Sequence, residues 1–216
     1  MKLIRINPDH PEAELVDQAA QAILAGQVIA YPTETVYGLG ANALNAASVQ
    51  RVFELKDRDR SRPILVIAGN MEQVRQLVVL SELAERLARL FWPGPLTLVL
   101  PARLGVPCHL LSADGYLGVR VPGHKFCLEL LNRCGVPITS SSANLSGQPN
   151  PVSVEDVVAN FDDRLELIID GGYARSKAAS TVVQIRDNEI VLLRAGVISE
   201  LELERQIGKQ IHERSG

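Results

Sequence analysis

The sequence predicts an α/β fold: a twisted mixed sheet of parallel and antiparallel strands with flanking helices. Short apolar runs such as Val28-Ile29-Ala30-Tyr31 and Pro63 to Ala68 are too brief for helices, and they alternate along the chain with segments of helical spacing. Arg186-Asp187-Asn188-Glu189 reads as a hairpin turn between two strands, so antiparallel neighbours must be present as well. The apolar fraction of 46% with only 4% aromatics calls for an aliphatic core of Leu, Val, Ile and Ala. At 216 residues, with no repeat and no low-complexity linker, residues 1–216 are expected to form a single domain with its core at about 12–200 and no second C-terminal domain.

The elements follow in order. Asp9 with Glu12 three residues on has the pattern of a capping box before a helix that repeats Val16, Ala19, Ala20, Ile23 and Leu24 and stops at Gly26. A buried strand at 28–31 ends at Pro32. Asn45 caps a helix that buries Val49, Val52 and Phe53. A second buried strand runs from Pro63 to Ala68, followed by helices near 71–79 and 82–91. The latter is capped by Ser81 and carries Leu83, Leu87, Leu90 and Phe91. Trp92-Pro93-Gly94-Pro95 breaks it before a strand at 96–100. Strands are expected near 116–121, 137–140, 165–170, 181–185 and 190–194, with helices near 125–134 and 154–161. A last helix starts at the Ser199 cap, with Glu202 at its third position.

Charge and cysteine usage narrow the function classes. With 22 basic and 25 acidic residues the net charge is −3, so no global field draws nucleic acid or an anionic membrane, and any anion site must be local. Cys108, Cys127 and Cys134 form no metal-ligand spacing, and the last two fall in an apolar helical pattern that packs them into the core. An odd count without a framework, no membrane-length apolar run and a charged N-terminus place the chain in the cytoplasm. His10, His109, His124 and His212 are scattered and read as surface or packing residues, and no resident metal site is expected.

Two distant polar motifs stand out. The first is Lys56-Asp57-Arg58-Asp59-Arg60-Ser61-Arg62-Pro63. If extended, it points its four cations to one face as a comb for a polyphosphate; on a helix the acids would largely cancel them. Pro63 disfavours helix at Arg62 and favours the extended form. The second is Ser140-Ser141-Ser142-Ala143-Asn144-Leu145-Ser146-Gly147, which follows a strand. Strand ends of open α/β sheets are where ligands bind, and hydroxyls, an amide and a glycine suit phosphate or ribose oxygens, although an ordinary Ser/Asn turn reads the same way. Thr33-Glu34-Thr35 also follows a strand. Arg120 lies in a strand among apolar residues, where it either meets an anionic partner on a buried face or faces water at an edge.

Taken jointly, Pro-Thr-Glu-Thr-Val-Tyr-Gly-Leu-Gly (32–40), Lys-x-Arg, Trp-Pro-Gly-Pro-Leu-Thr (92–97), Val-Arg-Val-Pro (119–122), Ser-Ala-Asn-Leu-Ser-Gly (142–147), Ser-Thr-Val-Val (180–183) and Leu-Arg-Ala-Gly (193–196) resemble the threonylcarbamoyl-adenylate synthases, the YrdC/Sua5 family. The resemblance runs over about residues 12–200 and implies the short form of that family, with a positively charged cavity. It implies that L-threonine, bicarbonate and ATP give threonylcarbamoyl-AMP and pyrophosphate, the first step of N6-threonylcarbamoyladenosine formation in tRNA. By motif, Thr35, Arg120, Ser140 and Ser180 should hold threonine. Lys56, Arg58, Arg62, Ser142, Asn144, Asn150 and Arg194 should face ATP, with Lys56, Arg58, Ser142 and Asn144 catalytic. Mg²⁺ should ride on the ATP phosphates, and tRNA and the downstream threonylcarbamoyl-transferase proteins are the implied partners.

Three residues depart from the pattern: Asp57 and Asp59 stand where the family usually has Gly and Pro, and Ile67 where long members often carry His. A sister branch, the YciO type, shares the Ile-Asn-Pro-Asp-His-Pro opening and Ile-Asp-Gly-Gly-Tyr (169–173) but generally lacks both Lys-x-Arg and Ser-x-Asn. It supplies the alternative, a nucleotide- or RNA-binding protein of the same fold without synthase activity.

Overall fold

The computed structural model describes residues 1–59, 62–209 and 211–213. The elements run β1 (Lys2–Arg5), α1 (Ala13–Leu24), β2 (Ile29–Tyr31), β3 (Gly38–Gly40), α2 (Ala46–Lys56), β4 (Val66–Ile67), α3 (Met71–Leu77) and α4 (Glu82–Phe91). They continue with β5 (Leu96–Pro101), β6 (Tyr116–Arg120), α5 (Lys125–Cys134), β7 (Ile138–Thr139), β8 (Ser141–Ser142) and α6 (Val154–Phe161). The last are β9 (Leu167–Asp170), β10 (Thr181–Arg186), β11 (Glu189–Arg194), α7 (Glu200–Ile207) and β12 (His212–Glu213).

The strands form two mixed sheets where the sequence suggested one. The five-stranded sheet has the order β1-β9-β2-β3-β8, and the seven-stranded sheet β12-β11-β10-β5-β6-β4-β7. In the first, β1 and β2 run parallel to β9 while β3 runs antiparallel to β2 and β8. In the second, β10 is parallel to β5 and antiparallel to β11, and β4 is parallel to β6 and antiparallel to β7. The two sheets meet where β7 closes the edge of one and β8 the edge of the other. Ser140 is the single residue between them, and its N–H donates to Leu65 O at 2.7 Å.

Two aliphatic cores hold this frame. The larger packs Val49, Val52 and Phe53 of α2 with Leu83 and Leu87 of α4, Phe161 of α6 and Leu203 of α7, against Leu96 and Leu98 of the longer sheet. The smaller sets Val16 and Ile23 of α1 against Phe126 and Leu130 of α5 and against Ile4, Ile29 and Ile169 of the shorter sheet. Cys127 and Cys134 lie in this second core, as their spacing suggested. Removing one such side chain, for instance by Leu87→Ala, costs roughly 2–5 kcal/mol.

Several local expectations need correction. Asp9 caps nothing: α1 begins after Glu12, whose carboxylate instead accepts from the Asn7 N–H, and Asn7 Oδ1 takes the Asp9 and His10 N–H groups. Competition from this Asn7 turn displaces the capping box. Leu24 and Leu90 face solvent at the ends of their helices. Lys2–Arg5 and Gly38–Gly40 are strands where no strand was expected, because pairing with β9 and β2 overrides weak local signals. The Asn45, Ser81 and Ser199 caps are formed, each accepting from backbone N–H groups of its helix. Asp187 and Asn188 at φ of 51° and 62° make the hairpin turn between β10 and β11.

Candidate active site

The junction of the two sheets gathers a narrow pocket of about 80 Å³. Its walls come from the β2–β3 connection (Thr33, Thr35 and Val36), from the Ser140–Ser142 crossing, from the carboxyl end of β6 (Arg120), from the start of β10 (Ser180) and from the end of β11 (Arg194). Arg58 and Leu65 complete it and also line a second, larger cleft of about 680 Å³ across the face of the seven-stranded sheet. That cleft carries Arg62, Val99, Gly118, Gln184 and Leu193 and is within the size range of small-molecule sites.

The pocket's groups are held by their neighbours. Thr33 Oγ1 donates to Val36 O at 2.7 Å, accepts from the Thr35 N–H and lies 2.9 Å from Thr35 Oγ1, so the connection closes on itself. β3 can lie this close to β2 because it starts and ends in glycine: a Cβ on Gly40 would meet the Tyr31 ring at 2.7 Å. Burial raises the Tyr31 hydroxyl above the usual phenol range, and it donates to Thr139 O at 3.2 Å. Tyr37 is pushed up to about 12 by burial, and its hydroxyl donates to Gly172 O at 2.6 Å.

Arg120 is buried, which decides between the two readings of a strand arginine. Its Nη1 donates to Glu34 Oε1 at 2.6 Å, and Nη2 lies 3.5 Å from Ser140 Oγ. Ile67 is its register partner on β4 and packs in the smaller core, so no polar side chain stands at that position. On the opposite wall, Arg194 donates twice to Ser180 O and once to Ser180 Oγ, which lies 2.8 Å from Thr97 Oγ1. Gly196 permits this: a Cβ there would stand 2.4 Å from Ala179 O and 2.5 Å from Ser180 C.

Among its described residues the basic run is not an extended comb. Lys56 is the last residue of α2, and Asp57 reverses the chain at φ 48° and ψ 48°, the left-handed conformation that a helix C-terminus favours. An aspartate tolerates it better than most residues, which accounts for Asp57 where the family usually has Gly. Lys56 therefore points into the protein. Its Nζ donates to Ser142 O and Asn144 O, both at 2.5 Å, and more weakly to Asn144 Oδ1 at 3.4 Å. The Lys56 carbonyl accepts from the Ser146 N–H, so the first motif clamps the second. Burial and the nearby Arg58 push the Lys56 ammonium down to about 7, while the carbonyls it bonds favour its charged form. Arg58 folds over its own loop, donating to Arg62 O and Pro63 O.

Of the residues marked from sequence, Thr35, Arg58, Arg120, Ser140, Ser142, Ser180 and Arg194 line one pocket. Arg62 lines the adjoining cleft. Lys56 and Asn144 are buried beneath the serine loop, where Asn144 Nδ2 donates to Gln148 O at 2.6 Å, and neither lines the pocket. Asn150 is exposed, with a contact of 3.4 Å to Lys177 O. Arg60 and Ser61 of the comb lie outside the described residues. Sequence reading missed Glu34, which is the counter-charge of Arg120. It also missed His124, which is buried close enough to Glu34 to feel its charge. The signal for Glu34 was its place between two threonines of the first motif; nothing marked His124.

The electrostatics define a class. Among the described residues, three guanidinium groups converge and no carboxylate lines the pocket. Partial loss of water, then the charges of Arg120 and Arg58, lowers Arg194 from the usual arginine range; burial and then Arg62 do the same for Arg58. Such repulsion is relieved by an anion, so this is an α/β protein whose sheet-junction pocket suits a small anionic group.

A profile of the Sua5/YciO/YrdC family, described as "Telomere recombination", matches residues 21–196, and the chain belongs to that family. A Threonylcarbamoyl-AMP synthase of Pyrococcus abyssi is 43% identical over 196 residues, covering 90% of this chain and 58% of its own length. A crystal structure of P. abyssi Sua5 complexed with L-threonine superposes with a TM-score of 0.93 at 41% identity, over 98% of this chain and 63% of that one. E. coli YciO superposes with a TM-score of 0.85 at 28% identity, over 91% of this chain and 97% of that one. The chain thus spans about three fifths of the P. abyssi relative's length. Among the described residues no helix is long and apolar enough to cross a membrane.

Proposed function

We propose that the protein is a threonylcarbamoyl-AMP synthase, converting L-threonine, bicarbonate and ATP into threonylcarbamoyl-AMP, pyrophosphate and water. The observation that carries this reading is the sharing of Arg58 by a small pocket ending in Arg120 and a large cleft over the sheet face. Such a site holds an amino acid and a nucleotide side by side, with a cation between them.

In the pocket, the threonine carboxylate meets Arg120 and Ser140, and Thr35 and Ser180 read its side chain. The surrounding guanidinium groups disfavour an ammonium, so the bound amine gives its proton to solvent water and becomes a nucleophile. Its nitrogen forms a C–N bond with the carbon of bicarbonate and water leaves. A carbamate oxygen then attacks the α-phosphorus of ATP, and the bond to the pyrophosphate oxygen breaks. Negative charge grows on the phosphoryl oxygens in that step, where Arg58, which lines both spaces, and Arg194, in the pocket, would offset it. Lys56 acts from below by holding Ser142 and Asn144 in place. Mg²⁺ enters with ATP as part of the substrate, for which a pocket of cations and hydroxyls supplies no carboxylate cage. The product would be consumed by a cytoplasmic threonylcarbamoyl transfer to tRNA, with tRNA or the transferase as partners.

The test is pyrophosphate release with Mg²⁺·ATP and threonine or bicarbonate omitted in turn. Release is expected only when both are present. Release that ignores threonine points to a plain ATP hydrolase, and ATP binding with no turnover points to the YciO-type alternative.

A further inference from the structure

Among the described residues, two buried side-chain polar atoms make no hydrogen bond: Glu34 Oε2 and His124 Nδ1. Both belong to one cluster behind the pocket. Glu34 grips Arg120 through its other oxygen at 2.6 Å, and its charge acts on the buried His124 ring. His124 occupies the N-cap position of α5, yet its side chain caps no helix N–H. The ring is therefore not placed there to serve the helix. Thr33 and Thr35 line the pocket while the residue between them does not, so Glu34 turns away from the substrate side.

This arrangement has a chemical purpose. A guanidinium buried without a counter-charge is costly, and it would otherwise rotate toward water. A charge-assisted bond on Nη1 fixes the plane of the group and leaves Nη2 beside Ser140 Oγ, at the pocket wall. His124, with its proton on Nδ1, would satisfy the second carboxylate oxygen across one water and so hold the carboxylate still. We propose that Glu34, backed by His124, is the positioning residue for Arg120 and sets the affinity of the pocket for the substrate's α-carboxylate. This rests on the reading of the pocket as the threonine site. Simple neutralisation makes the opposite forecast: a carboxylate that merely competed with substrate for Arg120 would weaken binding, and removing it would tighten binding.

The experiment is calorimetric titration of the full chain with L-threonine, and separately with Mg²⁺·ATP, for the wild type, Arg120→Lys, Glu34→Gln, Glu34→Asp and His124→Ala. Glu34→Gln should raise the threonine Kd about tenfold or more, the loss of a bond between charged groups, with the ATP Kd within about twofold. Glu34→Asp, which keeps the charge on a shorter arm, should recover much of that loss, and His124→Ala should cost about threefold. Unchanged or tighter threonine binding in Glu34→Gln overturns the proposal. Loss of both ligands together also overturns it, because the residue would then be needed by the whole site. If the wild type binds no threonine, the reading of the pocket falls too. If Arg120→Lys weakens threonine and Glu34→Gln does not, only this inference falls.

Discussion

Arg120 and Arg62 serve the same cleft system from opposite surroundings. Arg120 ends a strand, is 4% exposed, and has one nitrogen committed to Glu34 and another beside Ser140. Arg62 stands in solvent at the end of the basic run and lines the open cleft. The pocket thus draws Thr35, Arg120 and Ser180, all buried, from segments that chain-distant neighbours lock in place. The cleft is lined in part by Arg62, an exposed residue just before β4. A planar carboxylate needs fixed geometry, whereas a polyphosphate tolerates several arrangements of cations.

The contrast breaks most visibly at Arg58, the residue shared by both regions. Arg58→Ala should lower the rate of threonine-dependent pyrophosphate release by roughly a hundredfold or more, through lost stabilisation of the phosphoryl transition state. A loss below tenfold would make the boundary between pocket and cleft unimportant.

Next in size is Arg120→Lys, which keeps the charge and loses the fork. The threonine KM should rise by an amount equivalent to about 1.5–3 kcal/mol while the ATP KM stays near its starting value. A raised ATP KM with normal threonine kinetics would place Arg120 on the wrong side of the contrast.

Lys56 sharpens the comparison through pH. Its folded value of about 7 lies below the unfolded 10.5, so between those values the unfolded chain binds more protons. Stability from this group is therefore present above the unfolded value and lost as pH falls toward 7. Thermal melts from pH 7 to 8.5 should show a rising contribution that Lys56→Met removes. ATP should restore the proton: binding at pH 8 should take up protons, seen as a binding enthalpy that depends on the buffer. A buffer-independent enthalpy would separate Lys56 from the phosphates.

The smallest effect belongs to Asn150→Ala. The side chain is exposed with one marginal contact to Lys177 O, so the ATP KM should change by less than about threefold. A larger loss would show that ATP draws the 146–150 loop inward.

Much of the fold was legible because its signals are local. The helices at 125–134 and 154–161, the Asn45, Ser81 and Ser199 caps and the hairpin at 186–189 each depend on residues within a few positions of one another. Membership of the pocket was legible for Thr35, Arg120, Ser140 and Ser180 because motif resemblance carries three-dimensional proximity with it. The basic run misled, since alternation suggests a strand and the reversal at Asp57 depends on how α2 ends against the serine loop.

What the sequence determined alone is therefore the α/β class, the aliphatic cores and the supply of cations and hydroxyls that an anion site needs. Tertiary structure alone decided that the strands split into two sheets meeting at Ser140 and that Lys56 turns inward to hold Ser142 and Asn144. It also decided that Glu34 becomes the counter-ion of a strand arginine 86 residues away. Periodicity and capping arise from neighbours along the chain. A counter-charge is chosen by burial, and burial is a property of the packed molecule.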